Sequence, residues 1–378
     1  MSLKIKTIGL LLALNVANVQ ADTPSATEMW EIIQQQQNEI ESMQGAGKSA
    51  SGASRTTLGG YGEMHYNNLE DNDGAREKKI DLHRFVLFFG HEFSDSIRLF
   101  SELEVEHALS GDGKSGEVEL EQAYVEFDLN ENMQAKGGVF LLPVGILNET
   151  HEPNTFYGVE RNPVEKNIIP STWWSGGAEL TGIFGDSFSY NLGIHEGLNT
   201  SSTDKYAIRK GRQKTSKADA HDLAATGRLK WTGAPGIELA ATVQYQENIT
   251  QGDDSDAGSA ILYEAHAVVE RGPFELRALY ASWDLDGSGP ASIGADEQSG
   301  FYLEPSYRIN AEIGLFARYN QWDNQAGNGS DSEKKQYDIG VNYWPHPDVV
   351  LKLDLQKQDN DSGSGEKEGI NLGIGYQF

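Results

Sequence analysis

The side chains best suited to chemistry are concentrated in one segment, residues 142–170. It combines acidic, basic and imidazole groups at Glu149, His151, Glu152, Glu160, Arg161, Glu165 and Lys166. The spacing of Glu149, His151 and Glu152 would suit a divalent cation, but two or three ligands without a partner motif are weak evidence for a metal site. Charged groups of both signs in an otherwise apolar, aromatic segment instead suggest a lining that sorts charged molecules.

Nucleophilic catalysis has little support in this chain. The sequence contains nine histidines and no cysteine, and neither a nucleophile elbow nor a Ser–His pairing motif stands out. A hydrolase needs an activated nucleophile that is held beside a base. We therefore expect no enzyme, no cofactor and no resident metal.

The elements that must position the charged segment are β-strands. From Thr56 onward, apolar and polar residues alternate with a period of two. Near the C-terminus, for example, Leu351, Leu353 and Leu355 alternate with Lys352 and Asp354. A soluble β-sandwich would show the same alternation, so the period alone does not decide the architecture.

The lengths of the connections between the strands decide the architecture. Short turns such as Ser94-Asp95 and Gly272-Pro273 alternate with longer polar segments such as Asn68–Lys78, Asn199–Ala218 and Asn248–Ala257. Counting the segments between them gives about sixteen strands, an even number with both termini on the short-turn side. We therefore predict an all-β fold, a transmembrane antiparallel β-barrel of about sixteen strands. A barrel of that size has a lumen too wide for side chains alone to fill.

The segment 143–170 is then predicted to be a constriction loop. Structureless loops longer than about 15 residues are usually functional, and this one is too apolar to extend freely into water. A loop packed over the barrel rim for stability is the alternative. Charged residues on the predicted inner faces of the strands would face the loop, and the candidates for this lumen wall are Arg98, Glu102, Glu104, Arg228, Arg277 and Arg318. Each of these could equally form a salt bridge that only holds the barrel shape.

Three segments precede the barrel, which we place at residues 56–378. Residues 1–21 have the positive start, apolar core and small-residue cleavage site of a signal peptide. Residues 22–44 carry apolar side chains at helical spacing, which predicts a periplasmic helix that forms either a short coiled coil or a frayed single helix. Residues 45–55 are rich in Gly, Ser and Ala and predict a flexible linker.

Charge and the C-terminus limit the partners. A formal net charge of −27 excludes nonspecific nucleic-acid binding, because phosphate contact needs Lys and Arg. The acidic segments Glu70–Gly74 and Gly252–Asp256 could dock to lipopolysaccharide through divalent cations, although a solvated acidic surface is the default interpretation. We expect the barrel to contact outer-membrane lipid. The last strand ends in Phe378, which resembles the signature that the barrel-assembly machinery recognises.

Residues 59–127 and 137–178 resemble Gram-negative outer-membrane porins of the phosphate-selective porin O/P superfamily. The resemblance is carried by Gly59-Gly60-Tyr61-Gly62-Glu63, His83-Arg84-Phe85, Glu121–Phe127 and Ile169–Trp174. It implies a trimeric, sixteen-stranded passive diffusion channel, and some relatives carry an N-terminal periplasmic coiled coil. Phosphate-selective members concentrate Arg and Lys in the lumen, and no such ladder can be mapped onto this acidic chain.

The functional hypothesis is therefore an outer-membrane porin for small hydrophilic solutes or ions. Anions such as phosphate remain an open alternative within that class. A barrel with a mainly structural or adhesive role in the envelope is the second hypothesis. Conduction of ions by the purified protein distinguishes the two.

Overall fold

The fold was obtained as a computed structural model that describes residues 55–329 and 331–378. The predicted signal peptide, the periplasmic helix and nearly all of the linker lie outside the described residues. Sixteen antiparallel strands form one closed barrel, which confirms the predicted fold class. The strands are β1 Thr56–Asp71, β2 Arg76–Ser94, β3 Ile97–Glu106, β4 Val118–Asn130, β5 Met133–Leu141, β6 Trp174–Phe184, β7 Phe188–His195, β8 Ala224–Ala234, β9 Ile237–Gln246, β10 Ala260–Arg271, β11 Phe274–Leu285, β12 Glu297–Arg308, β13 Ile313–Asp323, β14 Lys334–His346, β15 Val349–Asn360 and β16 Lys367–Gln377.

The barrel closes where the first strand meets the last. β1 pairs with β16 in a register that places Tyr61 opposite Gln377. Just beyond the end of β16, the backbone N–H of Gly60 donates to the carbonyl of Phe378 and the N–H of Phe378 donates to that of Gly60, both at 2.9 Å. Closure leaves no open sheet edge, which a strand array surrounded by hydrocarbon must avoid.

Polarity is reversed relative to a soluble protein. Along β15, Leu351 and Leu353 are each 41% exposed, whereas Lys352 and Asp354 between them are 4% and 3% exposed. The apolar face therefore points outward and the charged face points into the barrel, as the alternation predicted. Among the described residues, no helix is both long enough and apolar enough to cross a membrane.

Connections differ in length at the two ends of the barrel. The connections at the end that holds both termini are tight turns of two to four residues, such as 95–96, 131–132 and 272–273. Long connections lie at the other end, with one exception. The first, predicted to span Asn68–Lys78, is only residues 72–75, because β1 and β2 continue pairing as far as Glu70 and Arg76. The charges of that last pair attract each other, so the ladder extends beyond the apolar zone.

Two long connections, L3 (residues 142–173) and L4 (residues 196–223), occupy the lumen together. L3 contains a short helix, Val164–Asn167, and L4 contains two 3-10 turns, Ser202–Asp204 and Ile208–Gly211. Their apolar residues form one buried cluster with the inner faces of β10–β12. The larger buried members of that cluster are Leu142, Val144, Ile168, Ile169, Trp173, Leu198, Ile208, Leu262, Trp283 and Tyr302.

This apolar cluster explains why L3 folds inward. Each fully buried aliphatic or aromatic side chain contributes about 1.5–3 kcal/mol relative to exposure, and the indole N–H of Trp283 also donates to the carbonyl of Ile168 at 3.0 Å. L3 therefore fills part of the lumen rather than resting on the rim. One further short helix, Ser288–Ser292, and a two-residue ladder between Ser110–Gly111 and Lys114–Ser115 lie in other long connections.

Candidate functional site

The two ends of L3 are fastened together by one buried amide. The side-chain NH₂ of Asn148 donates to the carbonyls of Leu142 and Trp173, each at 2.8 Å, and its oxygen accepts from the N–H of Trp173 at 2.7 Å. Asn148 is fully buried. The loop therefore leaves and re-enters the barrel wall at one fixed point.

A buried carboxylate organises the turn of the loop. Glu165 accepts hydrogen bonds from the backbone N–H groups of Ile146 at 2.9 Å and Leu147 at 2.7 Å, and from the hydroxyl of Tyr302 at 2.7 Å. Burial raises the pKa of Glu165, although these donors act in the opposite direction. This residue shapes the loop and does not face the open lumen.

Arginines of the barrel wall hold L3 from the other side. Arg228 forms an ion pair with Glu149 and donates to the side-chain oxygen of Asn191 at 2.9 and 3.1 Å. Arg277 donates to the carbonyl of Thr155 at 3.1 Å. Arg318 donates to the carbonyl of Tyr157 at 3.2 Å. Three of the wall candidates therefore support the loop.

An acidic and imidazole side faces the inner end of L3. His65 of β1 contacts Glu160 of L3 through Nδ1 and Glu63 through Nε2, each at 3.1 Å. Glu63 also contacts the guanidinium of Arg84 at 2.8 Å. Glu160 accepts a further hydrogen bond from Asn67 at 3.1 Å. The carboxylates on this side of the lumen are thus largely compensated by cations of the wall.

A basic side lies opposite, where L3 and L4 meet. Arg161 donates to the hydroxyl of Thr172 at 2.6 Å, and Arg209 donates to the carbonyls of Ser171 at 2.7 Å and Lys166 at 3.2 Å. Arg212 donates to the carbonyl of Thr172. Every one of these acceptors is uncharged. Within the part of the chain that the structure describes, none of the three arginines forms an ion pair with a carboxylate.

These two sides enclose a narrow cavity of about 90 Å³. That volume holds a few water molecules or one small ion. The charged side chains that line it are Glu63, His65, His83, Arg84, Glu106, Glu119, Glu121, Glu160, Arg161, Lys166, Arg209, Arg212 and Lys214. A cluster of cations facing a cluster of carboxylates creates a transverse field across the passage.

The basic side of the cavity is incompletely satisfied. Arg161 Nε and Nη2 and Arg212 Nε are buried nitrogens with no hydrogen-bond partner among the described residues. Burial, together with the charges of Arg212 and Arg161, lowers the pKa of Arg209 below its usual range. Burial therefore makes the charged form of Arg209 unfavourable, and an anion that enters the cavity would stabilise that charged form.

The structure divides the seven loop candidates into two groups. Glu160, Arg161 and Lys166 line the cavity. The other four do not line it: Glu149, His151 and Glu165 are occupied in holding the loop, and Glu152 is also absent from the lining.

The wall candidates all face inward but at different heights. Arg98 lies near the short-turn end of β3 and pairs with Glu126 at 2.6 Å and Asp128 at 2.5 Å. Glu102 and Glu104 are buried behind the loop, where Glu102 faces His151 and Glu104 lies 3.7 Å from Arg84. None of the six lines the cavity.

Three basic residues of L4 were not among the sequence candidates: Arg209, Arg212 and Lys214. Residues 205–217 contain six Lys or Arg in a chain of net charge −27, which is the signal that could have drawn attention to them. Nothing in the strand alternation shows that this connection turns into the lumen to meet L3. That placement depends on the apolar contacts of Tyr206 and Ile208.

Comparison with known proteins matches residues 174–363 to the family model of Gram-negative porins. The chain is also 32% identical over 344 residues to an uncharacterized protein of Aquifex aeolicus (strain VF5), a match that covers 80% of this chain and 76% of that protein.

Solved structures share the fold at low sequence identity. The outer-membrane channel DcaP of Acinetobacter baumannii is similar with a TM-score of 0.62 and 15% identity, covering 88% of this chain and 99% of that one. An anion-selective porin from Comamonas acidovorans is similar with a TM-score of 0.61 and 13% identity, covering 86% and 100%. OmpT of Vibrio cholerae, in a trimer form, is similar with a TM-score of 0.56 and 12% identity, covering 86% and 100%.

Proposed function

This chain belongs to the Gram-negative porin family, and from that premise we propose which solutes its pore favours. It is a diffusion channel of the outer membrane for small hydrophilic solutes. We take the cavity between L3, L4 and β1–β4 as its constriction. We propose that this constriction favours small anions over cations.

One observation carries the proposal. Arg161, Arg209 and Arg212 converge on the passage and bind only uncharged acceptors. The carboxylates across the passage are mostly compensated, for instance Glu63 by Arg84 and Glu119 by Lys214. The uncompensated charge at the constriction is therefore positive.

The net charge of −27 does not oppose this proposal. Charges exposed to solvent are screened beyond about 8 Å at physiological ionic strength. An ion inside the constriction lies within a few ångströms of the arginines and in a medium of lower dielectric constant, where each charge contributes on the order of 1 kcal/mol or more. Local charge therefore outweighs the distant acidic loops.

The chemical class of the favoured solute follows from the donors. Guanidinium groups offer paired N–H donors that suit carboxylate and phosphate oxygens. We therefore include phosphate and small carboxylates among the favoured anions. The anion selectivity that is named for the Comamonas acidovorans neighbour is consistent with this proposal. Assembly as a homotrimer is likewise proposed, supported by the trimer form of the Vibrio cholerae neighbour.

The proposal is tested by neutralising two arginines of L4. In Arg209→Gln/Arg212→Gln, the anion-over-cation permeability ratio should fall by at least about tenfold, because two charges of order 1 kcal/mol each are removed from the passage and about 1.4 kcal/mol corresponds to a factor of ten. The ratio is obtained from the zero-current potential across a planar bilayer in a KCl gradient.

A matched control removes the same charge from the same loop. Lys210 and Lys217 are exposed and do not line the cavity. Lys210→Gln/Lys217→Gln should leave the permeability ratio within about twofold of wild type, because exposed charges are screened. Equal shifts in the two double variants, or no shift in either, would overturn the proposal.

A further inference from the structure

His151 of L3 stands between two glutamates of the barrel wall in an unusual arrangement. Its Nε2 lies 3.4 Å from Glu102 Oε1 and 3.4 Å from Glu121 Oε2. The three residues are almost fully buried, with 2%, 1% and 2% of their surface exposed. Both glutamates therefore converge on a single nitrogen atom in a site shielded from solvent.

The other ring nitrogen of His151 already forms a hydrogen bond. Nδ1 of His151 lies 3.1 Å from the carbonyl oxygen of Asn148, which can only accept, so Nδ1 carries a proton. In the neutral ring, Nε2 then presents its lone pair to the two carboxylates. Nε2 and Glu121 Oε2 are both buried without a hydrogen-bond partner among the described residues.

Two other histidines of the barrel show what an ordinary imidazolium bridge looks like here. His65 contacts Glu160 through Nδ1 and Glu63 through Nε2, each at 3.1 Å. His266 contacts Glu264 through Nδ1 at 2.7 Å and Glu238 through Nε2 at 3.3 Å. In both, each nitrogen serves one carboxylate. His151 differs because one nitrogen faces two carboxylates and the other donates to the backbone.

We propose that His151, Glu102 and Glu121 form a binding site for a divalent transition-metal ion of the zinc type. Ligands about 2.1 Å from a tetrahedral ion are roughly 3.4 Å apart, which is the separation of Nε2 from each carboxylate oxygen. Two carboxylates and a neutral imidazole balance the charge of a divalent cation. Three protein ligands leave a fourth position for water.

The surroundings supply the supporting contacts that metal ligands usually have. The backbone carbonyl that accepts from Nδ1 fixes the tautomer of His151. Glu102 is oriented by Gln122, which donates to Oε2 at 2.7 Å, and by the hydroxyl of Tyr61 at 3.3 Å from Oε1. The guanidinium of Arg84, on the neighbouring strand β2, is engaged by Glu63 at 2.8 Å.

The ion has a route to the site and a consequence when bound. Glu121 lines the lumen cavity, so the site borders on the passage. Bound metal would join L3 to β3 through Glu102 and to β4 through Glu121. The site therefore cross-links the constriction loop to the wall, and it does not depend on the proposed anion preference.

Zinc binding to the purified full-length protein tests the proposal. After removal of metal with a chelator, titration with Zn²⁺ alone should show one tight site per chain. His151→Gln and Glu121→Gln should each weaken binding by at least about 10–100-fold, since even the loss of outer-shell partners has effects of that size.

Two histidine variants are the matched controls. His266→Gln alters the ordinary imidazolium bridge, and His107→Gln alters another group of side chains whose spacing could hold a metal ion, Asp81, His83 and His107, nearer the long-connection end. Both should bind zinc as wild type does. Retention of the tight site in His151→Gln, or its loss in His107→Gln or His266→Gln, would overturn the assignment.

Binding of cobalt(II) can be measured on the wild-type protein, so the result does not depend on whether a variant folds. Bound to the wild-type protein at a tetrahedral site with nitrogen and oxygen ligands, Co²⁺ should show intense visible absorption that saturates at one ion per chain and is displaced by zinc. Absence of a saturable visible band from the wild-type protein would contradict the proposed coordination.

Discussion

Charged residues inside the barrel fall into two groups, those that an opposite charge compensates and those that contact only uncharged acceptors. Most are compensated in pairs or networks, as Arg318 is by Glu304 at 2.9 Å and Asp338 at 3.2 Å. A few, above all Arg161 and Arg212, contact only uncharged acceptors. Compensated residues hold the wall and the loop in shape, whereas we propose that the uncompensated ones determine which ions are favoured.

Sequence alternation predicts which residues face inward. It does not predict whether an inward charge pairs with an opposite charge or contacts only uncharged groups. Arg228 and Arg318 were expected on the inner face and are found there. In L3, Arg228 contacts Glu149, which lies 79 positions away in sequence, and Arg318 contacts Tyr157, which lies 161 positions away. A one-dimensional pattern carries no information on pairs so far apart.

A pH prediction follows for Glu160. Burial alone would raise the pKa of Glu160, but the hydrogen bond and charge of His65 hold the pKa well below its usual range. The contact therefore contributes its full stability to L3 from neutral pH down to the ordinary glutamate value of 4.5, and this contribution is lost as the pH falls further through the lowered pKa. We expect constant single-channel conductance from neutral pH down to about 4.5, with fluctuations only in stronger acid.

Glu160→Gln should show those fluctuations already at neutral pH, because its amide cannot pair ionically with His65. Glu152→Gln is the matched control on the same loop, since Glu152 does not line the cavity. It should behave as wild type. Steady conductance of Glu160→Gln at every pH would show that this contact does not hold the loop.

At the scale of elements, L3 and L4 behave as one folded unit inside a rigid wall. Their shared apolar cluster and the buried amide of Asn148 explain why the 32 residues of L3 pack inside the barrel. L3 stands out in the sequence because its length and apolar content contradict a solvated loop. The participation of L4 was missed because its basic, glycine-containing stretch resembles an exposed connection.

Asn148→Leu tests the fastening of L3. The substitution keeps the approximate volume but leaves the buried N–H of Trp173 without its acceptor, at a cost of about 1–3 kcal/mol. We expect faster proteolytic cleavage within L3 and larger conductance fluctuations, while the barrel itself stays folded. Asn154→Leu is the control, because Asn154 makes a single, exposed hydrogen bond to the carbonyl of Pro347. Equal cleavage rates in the two variants would contradict the role of Asn148.

At the scale of the whole molecule, the barrel could be predicted because two patterns agree. Alternation within segments such as 349–360 predicts β-strands, and the contrast of short and long connections adds that these strands are antiparallel and span a membrane. The ladder between β1 and β2 departs from the prediction, since charge pairing extends it to Glu70 and Arg76. Polarity patterns define the membrane zone of a strand, whereas hydrogen bonding defines its end.

We propose that the whole molecule is an acidic protein with a basic constriction, and the ion preference of the channel is the most direct test of this proposal. Single-channel conductance of the wild-type protein should be compared in KCl, in a salt that pairs chloride with a bulky cation, and in a salt that pairs potassium with a bulky anion. Because Arg161, Arg209 and Arg212 converge on the passage, conductance should fall severalfold when chloride is replaced and much less when potassium is replaced. A larger fall on replacing potassium would contradict the account.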